Sequence, residues 1–284
     1  MTPTTEQPLK LLISYHYWKR VDLTTLPRQV QLFGDSGAFS AHTLGAEITL
    51  DTYMAWVHKW KHRLECYAGL DDLTSPKRSI ENYHVMRANG LDPLPTFHYG
   101  EDWSVLDEYM KHTHYIALGG MVGESTKSLM QWAIQCFKRA KARGEGHGYH
   151  GFGLTKVDAL KLLPWYSVDS SSWGAGHRYG RVFKFEPLTG RMRTAGRETL
   201  ALDPALRGIG LRQGLELGGI QKSLPVVMHN AEQWRLLEQY LRRRHGEILL
   251  DDRAPGLHLY LVDGSQTVAK ALAKEFYRKQ QEGA

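Results

Sequence analysis

The chain is expected to fold as an α/β protein, a (β/α)8 TIM-type barrel, and three observations carry that expectation. Short apolar runs alternate with amphipathic helical stretches from Leu9 to Trp173, a rhythm that gives parallel strands joined by crossover helices. The connections are mostly a few residues long, as in compact α/β units. The 284 residues only modestly exceed the roughly 250 typical of one such barrel. One domain, residues 1–284, is therefore expected, with no second one required.

The first strand is expected over Leu9–Trp18, where Leu11, Leu12 and Ile13 run into Ser14-Tyr15-His16. The second, Val30–Gly34, ends in a turn at Asp35. From Thr49 to Glu65, apolar Leu50, Tyr53, Met54, Val57, Trp60 and Leu64 recur at helical spacing with charges on the other face. Cys66–Leu70 is the third strand, ending in Asp71-Asp72. Thr74-Ser75-Pro76 then supplies an N-cap and a first-turn proline for a helix reaching Ala88, where Asn89-Gly90 stops it. Leu94–Phe97 is the fourth strand, ending in His98-Tyr99-Gly100, with a short helix over Trp103–Lys111. Tyr115–Leu118 is the fifth, ending in Gly119-Gly120-Met121-Val122-Gly123-Glu124. Ser125 opens a helix to Ala142 that turns Leu129, Trp132, Ala133, Cys136 and Phe137 inward. His147–Gly151 is the sixth strand, Lys156–Leu163 a short helix, and Trp165–Val168 the seventh strand, ending in Asp169-Ser170-Ser171-Ser172-Trp173. Helical spacing assigns Trp56, Trp60, Met130 and Trp132 to the core.

Beyond Trp173 the rhythm breaks. Arg181–Glu186 reads as a hairpin arm and Leu188–Gly219 is Gly-rich and unassigned. Ala231–Arg244 is a helix, Leu257–Val262 a strand and Thr267–Gln280 a terminal helix. Either Leu224–Met228 or Leu257–Val262 is the eighth strand.

Composition narrows the class. Hydrophobic residues make up 42% and charged residues 23%, ordinary for a soluble globular protein. Cys66 and Cys136, the two cysteines, lack C-x-x-C spacing, which argues against a thiolate zinc site or a disulfide framework and fits a reducing, cytoplasmic setting. No window approaches 18 consecutive apolar residues, so no membrane partner is expected. The N-terminus lacks the apolar core of a leader. Net charge is +6, which permits nucleic-acid binding. Gly174–Lys222 holds nine Lys/Arg against four Asp/Glu and so carries +5 of that surplus. This basic insertion, residues 174–222, is where a polynucleotide backbone is expected to lie, with Arg178, Arg181, Lys184, Arg191 and Arg193 as its contacts. Arg242-Arg243-Arg244 reads as compensation of a helix C-terminus.

Chemistry in α/β barrels gathers at the carboxyl ends of the strands. Here those ends carry Asp35, Asp71, Asp72, His98, Gly119-Gly120, His150 and Asp169. An isolated Asp35-Ser36-Gly37 is ordinarily an Asx-turn. Four carboxylates at one mouth carry more than that reading. Two separated carboxylates suit chemistry at a glycosidic carbon, one attacking or stabilising it and the other moving the leaving-group proton. A third suits the N–H donors of a guanine-like base, backbone groups at Gly119-Gly120 the rest of its edge, and Phe39 its face. The same residues are compatible with a barrel glycosidase and with a non-catalytic nucleic-acid-binding barrel.

The ordered set of strand-end elements from Leu32 to Phe185 resembles the tRNA-guanine transglycosylases and their shorter phage relatives that put 7-deazaguanines into DNA. Asp35-Ser36-Gly37-Ala38-Phe39 is similar to the family's D-S-G-G-[FY], whose Asp is a general acid/base and whose aromatic stacks on the base. Leu70-Asp71-Asp72 resembles its L-D-E, whose Asp reads the purine edge. Gly119-Gly120-Met121-Val122-Gly123-Glu124 resembles G-G-L-A-V-G-E, and His150-Gly151-Phe152-Gly153 resembles M-G-V-G. Asp169 falls where the family has its F-D-C nucleophile, and Gly180-Arg181-Val182-Phe183 continues the likeness. His98 stands in place of a base-reading glutamine, His150 in place of a methionine, and Ser40 in place of a glutamine. His229-Asn230 resembles the start of the helix that supplies the family's zinc histidine, but no cysteine follows Cys136.

The resemblance implies exchange of guanine in DNA for a 7-deazaguanine of the preQ0 type, with tRNA as the alternative substrate. Asp169 and Asp35 would be catalytic, and Phe39, Asp71, Asp72, His98, Gly119, Gly120, Met121 and His150 would bind the base. No zinc subdomain, metal or cofactor is expected. The setting implied for a phage-encoded chain is the host cytoplasm, and a homodimer is left open.

Overall fold

In a computed structural model the chain is described over residues 8–121, 125–144, 146–154, 156–196, 198–212, 224–251, 253–262 and 265–282. Among these residues β1 (Lys10–Ser14) is followed by α1 (Tyr15–Trp18), β2 (Gln31–Asp35), α2 (Ala38–Thr43), α3 (Leu50–Trp60) and β3 (Leu64–Tyr67). Next come α4 (Pro76–Ala88), β4 (Thr96–His98), α5 (Trp103–Tyr109), β5 (Tyr115–Gly119), α6 (Thr126–Ala142), β6 (Gly148–Gly151), α7 (Val157–Leu162) and β7 (Ser167–Ser170). The last third holds α8 (Ala175–Tyr179), β8 (Val182–Glu186), β9 (Arg191–Ala195), α9 (Pro204–Arg212), α10 (Leu224–His245), β10 (His258–Val262) and α11 (Gln266–Glu282).

Eight strands form one all-parallel, curled sheet in the order β3-β2-β1-β10-β7-β6-β5-β4, a TIM-like α/β arrangement. Its two ends meet at a single parallel bridge, Ala68 to Leu94. There Leu94 N–H donates to Tyr67 C=O and Gly69 N–H to Leu94 C=O, each at 2.8 Å. Pro93 and Pro95 flank Leu94, and the Pro95 carbonyl turns to the other side, where it accepts Ala117 N–H at 2.8 Å.

Alternate residues divide two cores. Leu12, Phe33, Cys66, Tyr115, Ala117 and Tyr260 pack with one another within the curl, while Leu11, Ile13, Leu32, Ile116, Val168 and Leu261 pack against the helices. Trp56, Trp60 and Trp132 are buried in that second core, and Met130 packs on it. Lys10 and Glu238 form a buried ion pair with Nζ 2.7 Å from Oε1.

Four expectations shift. The helix expected over Thr49–Glu65 ends at Trp60, and the third strand is Leu64–Tyr67 where Cys66–Leu70 was expected, so Leu64 belongs to the strand. Leu224–Met228 is not a strand but the start of α10, with Val226 and Val227 buried; a five-residue apolar run fits either period, and β10 takes the eighth place. The first strand ends at Ser14, and Tyr15–Trp18 is helical. The seventh strand is Ser167–Ser170, so Asp169 lies inside it and not beyond it.

The hairpin arm expected at Arg181–Glu186 is β8, paired antiparallel with β9 and separate from the main sheet. Side chains of α10 complete the β8 edge: Asn230 Oδ1 accepts Phe183 N–H at 3.1 Å and Gln233 Oε1 accepts Phe185 N–H at 2.9 Å. His229 Nε2 donates to Phe183 C=O at 2.8 Å. His229-Asn230 thus caps a strand edge that would otherwise be unpaired. Val122, Gly123, Glu124, Arg197 and Lys222 of the expected motifs, and the stretch 213–223, lie outside the described residues.

Candidate active site

The carboxyl ends of the parallel strands bring Asp35, Asp71, His98 and Asp169 to one mouth. Asp35 closes β2, in register with Ser14 of β1, and its Oδ2 accepts Gly37 N–H at 3.1 Å. Gly37 is required there twice over. Its φ is +76°, and a Cβ would lie 2.5 Å from Ser14 Oγ and 2.7 Å from His16 Cβ. Burial raises the Asp35 carboxyl to about 7, opposed by the Gly37 hydrogen bond and reinforced by the charges of Asp169 and Asp71. Phe39 follows on α2 and stands 62% exposed.

Asp71 and His98 form a second group. Burial raises Asp71 to about 6, offset in part by the charge of His98. His98 Nε2 lies 3.7 Å from Asp71 Oδ2, and its Nδ1 lies 3.2 Å from Glu101 Oε1. Glu101 Oε2 also accepts the His98 backbone N–H at 2.8 Å. Burial disfavours the imidazolium, but the Glu101 hydrogen bond and the two carboxylate charges outweigh it, so His98 titrates above an ordinary histidine. Gly119 makes room for this ring, since a Cβ there would lie 2.9 Å from His98 Cδ2. Asp71 also lines a cavity of about 440 Å³ with Ala38, His42, Leu70 and Asn82, large enough for a purine-sized base.

Asp169 is held by a chain of buried polar groups. Its Oδ1 accepts Gly153 N–H at 2.9 Å and lies 3.1 Å from His150 Nε2. His150 Nδ1 lies 2.6 Å from Ser167 Oγ, which is 2.5 Å from Tyr115 OH. Burial lowers the His150 pKa against the pull of Asp169, which keeps the ring neutral near pH 7. The assignment that serves every group has Tyr115 O–H donating to Ser167, Ser167 O–H to His150 Nδ1, and His150 Nε2–H to Asp169. Phe33 and Phe152 pack on the ring, with centroids 4.6 and 4.5 Å away. One Asp169 oxygen, Oδ1, is fixed and the other, Oδ2, is unpaired among the described residues.

Four expected base contacts are placed differently. His150 is fully buried, and its two ring nitrogens face Ser167 and Asp169. Asp72 lines the same cavity as Asp71, but its Oδ1 is taken by Thr74 N–H at 2.9 Å and Thr74 O–H at 2.6 Å, the Asx-turn that leads into α4, and these bonds hold its carboxyl below the usual range. The Gly119 carbonyl is taken by Tyr99 N–H at 3.0 Å, leaving the exposed Gly120 backbone. Met121 is buried. Glu101, Ser167 and Tyr115 lie outside the expected set of site residues, and Gly153, part of the His150–Gly153 element, serves through its backbone N–H. Ser167 was within reach of sequence reasoning, because residues two apart on a strand share a face; Glu101 needed the turn after β4.

Of the basic residues, Arg178 and Arg181 line a cavity of about 730 Å³ with Ser171, Ser172, Thr194 and Trp234, directly after β7. Arg178 also hydrogen-bonds to Ser171 C=O. Lys184 lies on β8, and Arg191 is exposed on β9. Arg193 is committed elsewhere, to ion pairs with Asp203 and Glu186.

The raised Asp35 pKa carries a stability prediction. A carboxyl that titrates near 7 when folded and near 4 when unfolded destabilises the fold progressively as pH rises through that window. Asp35→Asn is therefore expected to raise the urea midpoint at pH 8 and to change it little at pH 4. A loss of stability at pH 8 would contradict the assignment.

Compared with known proteins, the chain matches no protein-family model, no curated protein and no solved structure.

Proposed function

We propose that the chain is a base-exchange transglycosylase of the tRNA-guanine transglycosylase superfamily, replacing guanine in DNA by a 7-deazaguanine. The observation that carries this reading is the convergence of three carboxylates with different environments at one mouth. Asp169 has one oxygen fixed and one free, Asp35 is held near neutrality, and Asp71 lines a base-sized cavity.

Asp169 Oδ2 attacks C1′ of the target nucleotide as the bond from C1′ to guanine breaks. Asp35 supplies the proton that the leaving base takes. The sugar is then held as an ester of Asp169. The incoming 7-deazaguanine gives its ring N–H proton to Asp35, and its nitrogen displaces Asp169 from C1′. A carboxyl titrating near 7 is matched to giving and retaking a proton at neutral pH. Asp71 accepts from base N–H donors, His98 presents a donor held between two carboxylates, and Phe39 covers the base. In a duplex the target carbon lies within the stack, so its nucleotide is extruded or single-stranded. Arg178, Arg181, Lys184 and Arg191 of the segment after β7 supply the phosphate contacts.

The test is incorporation of radiolabelled guanine or 7-deazaguanine into DNA and, separately, unmodified tRNA. Label is expected in DNA, with a rate that falls above about pH 7 as Asp35 loses its proton. Entry into tRNA alone would keep the chemistry and change the substrate. Salt-dependent DNA binding without exchange, insensitive to Asp35 or Asp169 substitution, would replace an enzyme by a binding barrel.

A further inference from the structure

The helices outside the sheet hold a second cluster of ligating groups. His84 lies in the last part of α4, Glu108 near the end of α5, and His112 just beyond α5. Glu108 Oε1 sits between the two imidazoles, 3.1 Å from His112 Nε2 and 3.9 Å from His84 Nε2. All three donor atoms lie within 4.8 Å of one another. Zinc bond lengths to nitrogen and carboxylate oxygen place neighbouring donors of a tetrahedral site about 3.3–3.5 Å apart. One separation is therefore slightly short and another slightly long, and small rotations of exposed side chains correct both.

The surroundings favour such a site over a chance meeting of surface groups. Glu108 Oε2 accepts Lys111 Nζ at 2.7 Å, which fixes the carboxylate and leaves Oε1 turned to the histidines. The rings of His84 and His112 meet edge to face with centroids 4.9 Å apart. Buried Tyr83 lies behind both, 5.3 Å from His84 and 6.4 Å from His112. The histidines are 44% and 39% exposed on their side chains, so an ion enters from solvent and a water completes its shell. Two imidazoles and one carboxylate select a borderline divalent cation over magnesium or calcium, which prefer all-oxygen shells.

We propose that His84, Glu108 and His112 bind a divalent transition-metal ion of the zinc class. The ion clasps α4 to α5. Helices of an α/β barrel run opposite to its strands, so the C-terminal ends of α4 and α5 lie away from the carboxylate mouth, and the role is structural. The expectation of no metal rested on missing cysteine ligands; this site uses none.

The test is a titration of the full chain, first dialysed against a chelator, with Zn²⁺ and separately with Mg²⁺, read by calorimetry and by the thermal midpoint. One saturable Zn²⁺ per chain is expected, raising the midpoint as ligand binding to the folded state requires, and Mg²⁺ should leave it unchanged. His84→Ala and His112→Ala should each weaken Zn²⁺ binding more than tenfold and abolish the midpoint shift. Both residues are exposed, so their substitution leaves the core packing intact. Equal Zn²⁺ affinity in a His84→Ala/His112→Ala double variant, or no saturable binding by the parent, would overturn the proposal.

Discussion

The Asp169→Asn variant is expected to lose base exchange by about 10⁴-fold or more, the scale on which removal of a nucleophile acts. It should also fail to form the covalent DNA adduct that the parent is expected to accumulate when exchange is stopped by denaturant. Folding should survive, because Asn keeps an oxygen to accept Gly153 N–H at the same place. The same geometry assigns His150 a positioning role. Its ring meets Asp169 on one side and Ser167 on the other and touches no solvent. His150→Phe, which keeps the aromatic packing but removes the hydrogen bond, should lower kcat about 10²-fold by letting the carboxylate drift, with KM for DNA unchanged. A parallel rise in KM would place His150 in binding instead. Full exchange by Asp169→Asn would remove the nucleophile assigned here.

The second large effect concerns the ion pair far along the chain but close in space. Lys10 and Glu238 are both buried, with side chains 3% and 4% exposed and 2.7 Å between Nζ and Oε1. Taking one partner away leaves a buried charge without its counter-charge, at a cost of about 3–5 kcal/mol. Glu238→Leu alone should therefore lower the unfolding free energy by that amount in urea melts. Lys10→Met combined with Glu238→Leu should recover most of it, since well-packed apolar pairs often match or exceed a buried ion pair. Equal destabilisation in the single and double variants would mean that packing volume, and not charge, decides the site. His258 reports on the same region: burial first and the Lys10 charge second push it down to about 4, which keeps it neutral beside the pair.

Much of the site's framework was legible in the chain. The alternation of apolar runs and amphipathic stretches specified parallel strands, and the parallel arrangement in turn sent Asp35, Asp71, His98 and Asp169 to the same end. Asp35-Ser36-Gly37 announced a tight turn because its glycine adopts a left-handed conformation against Ser14 and His16, a demand that no other residue type meets. Ser75-Pro76 marked the start of α4 because cap chemistry is local. Short-range chemistry of this kind is written in neighbouring residues and can be read there.

Other features depended on residues distant in sequence. Leu224–Met228 satisfies either a strand or a helix period, and only packing of Val226 and Val227 beside the β8 hairpin resolves it as helix. His150 looked like a ligand contact because it ends a strand, yet the curl of the sheet turns it inward, onto Phe33 from β2 and Ser167 from β7. Asp72 and Arg193 carry charges suited to binding, but Thr74 and Asp203 engage them first. His84 and Glu108 belong to different helices, and nothing in their 24-residue separation joins them. Sequence by itself determined most of the strand and helix types, the turn glycines and the set of strand-end carboxylates, because those follow from periodicity and local backbone demands. The tertiary structure alone decided which carboxylate is desolvated, which oxygen is left free and which histidines meet, because burial and distance are properties of the packed chain.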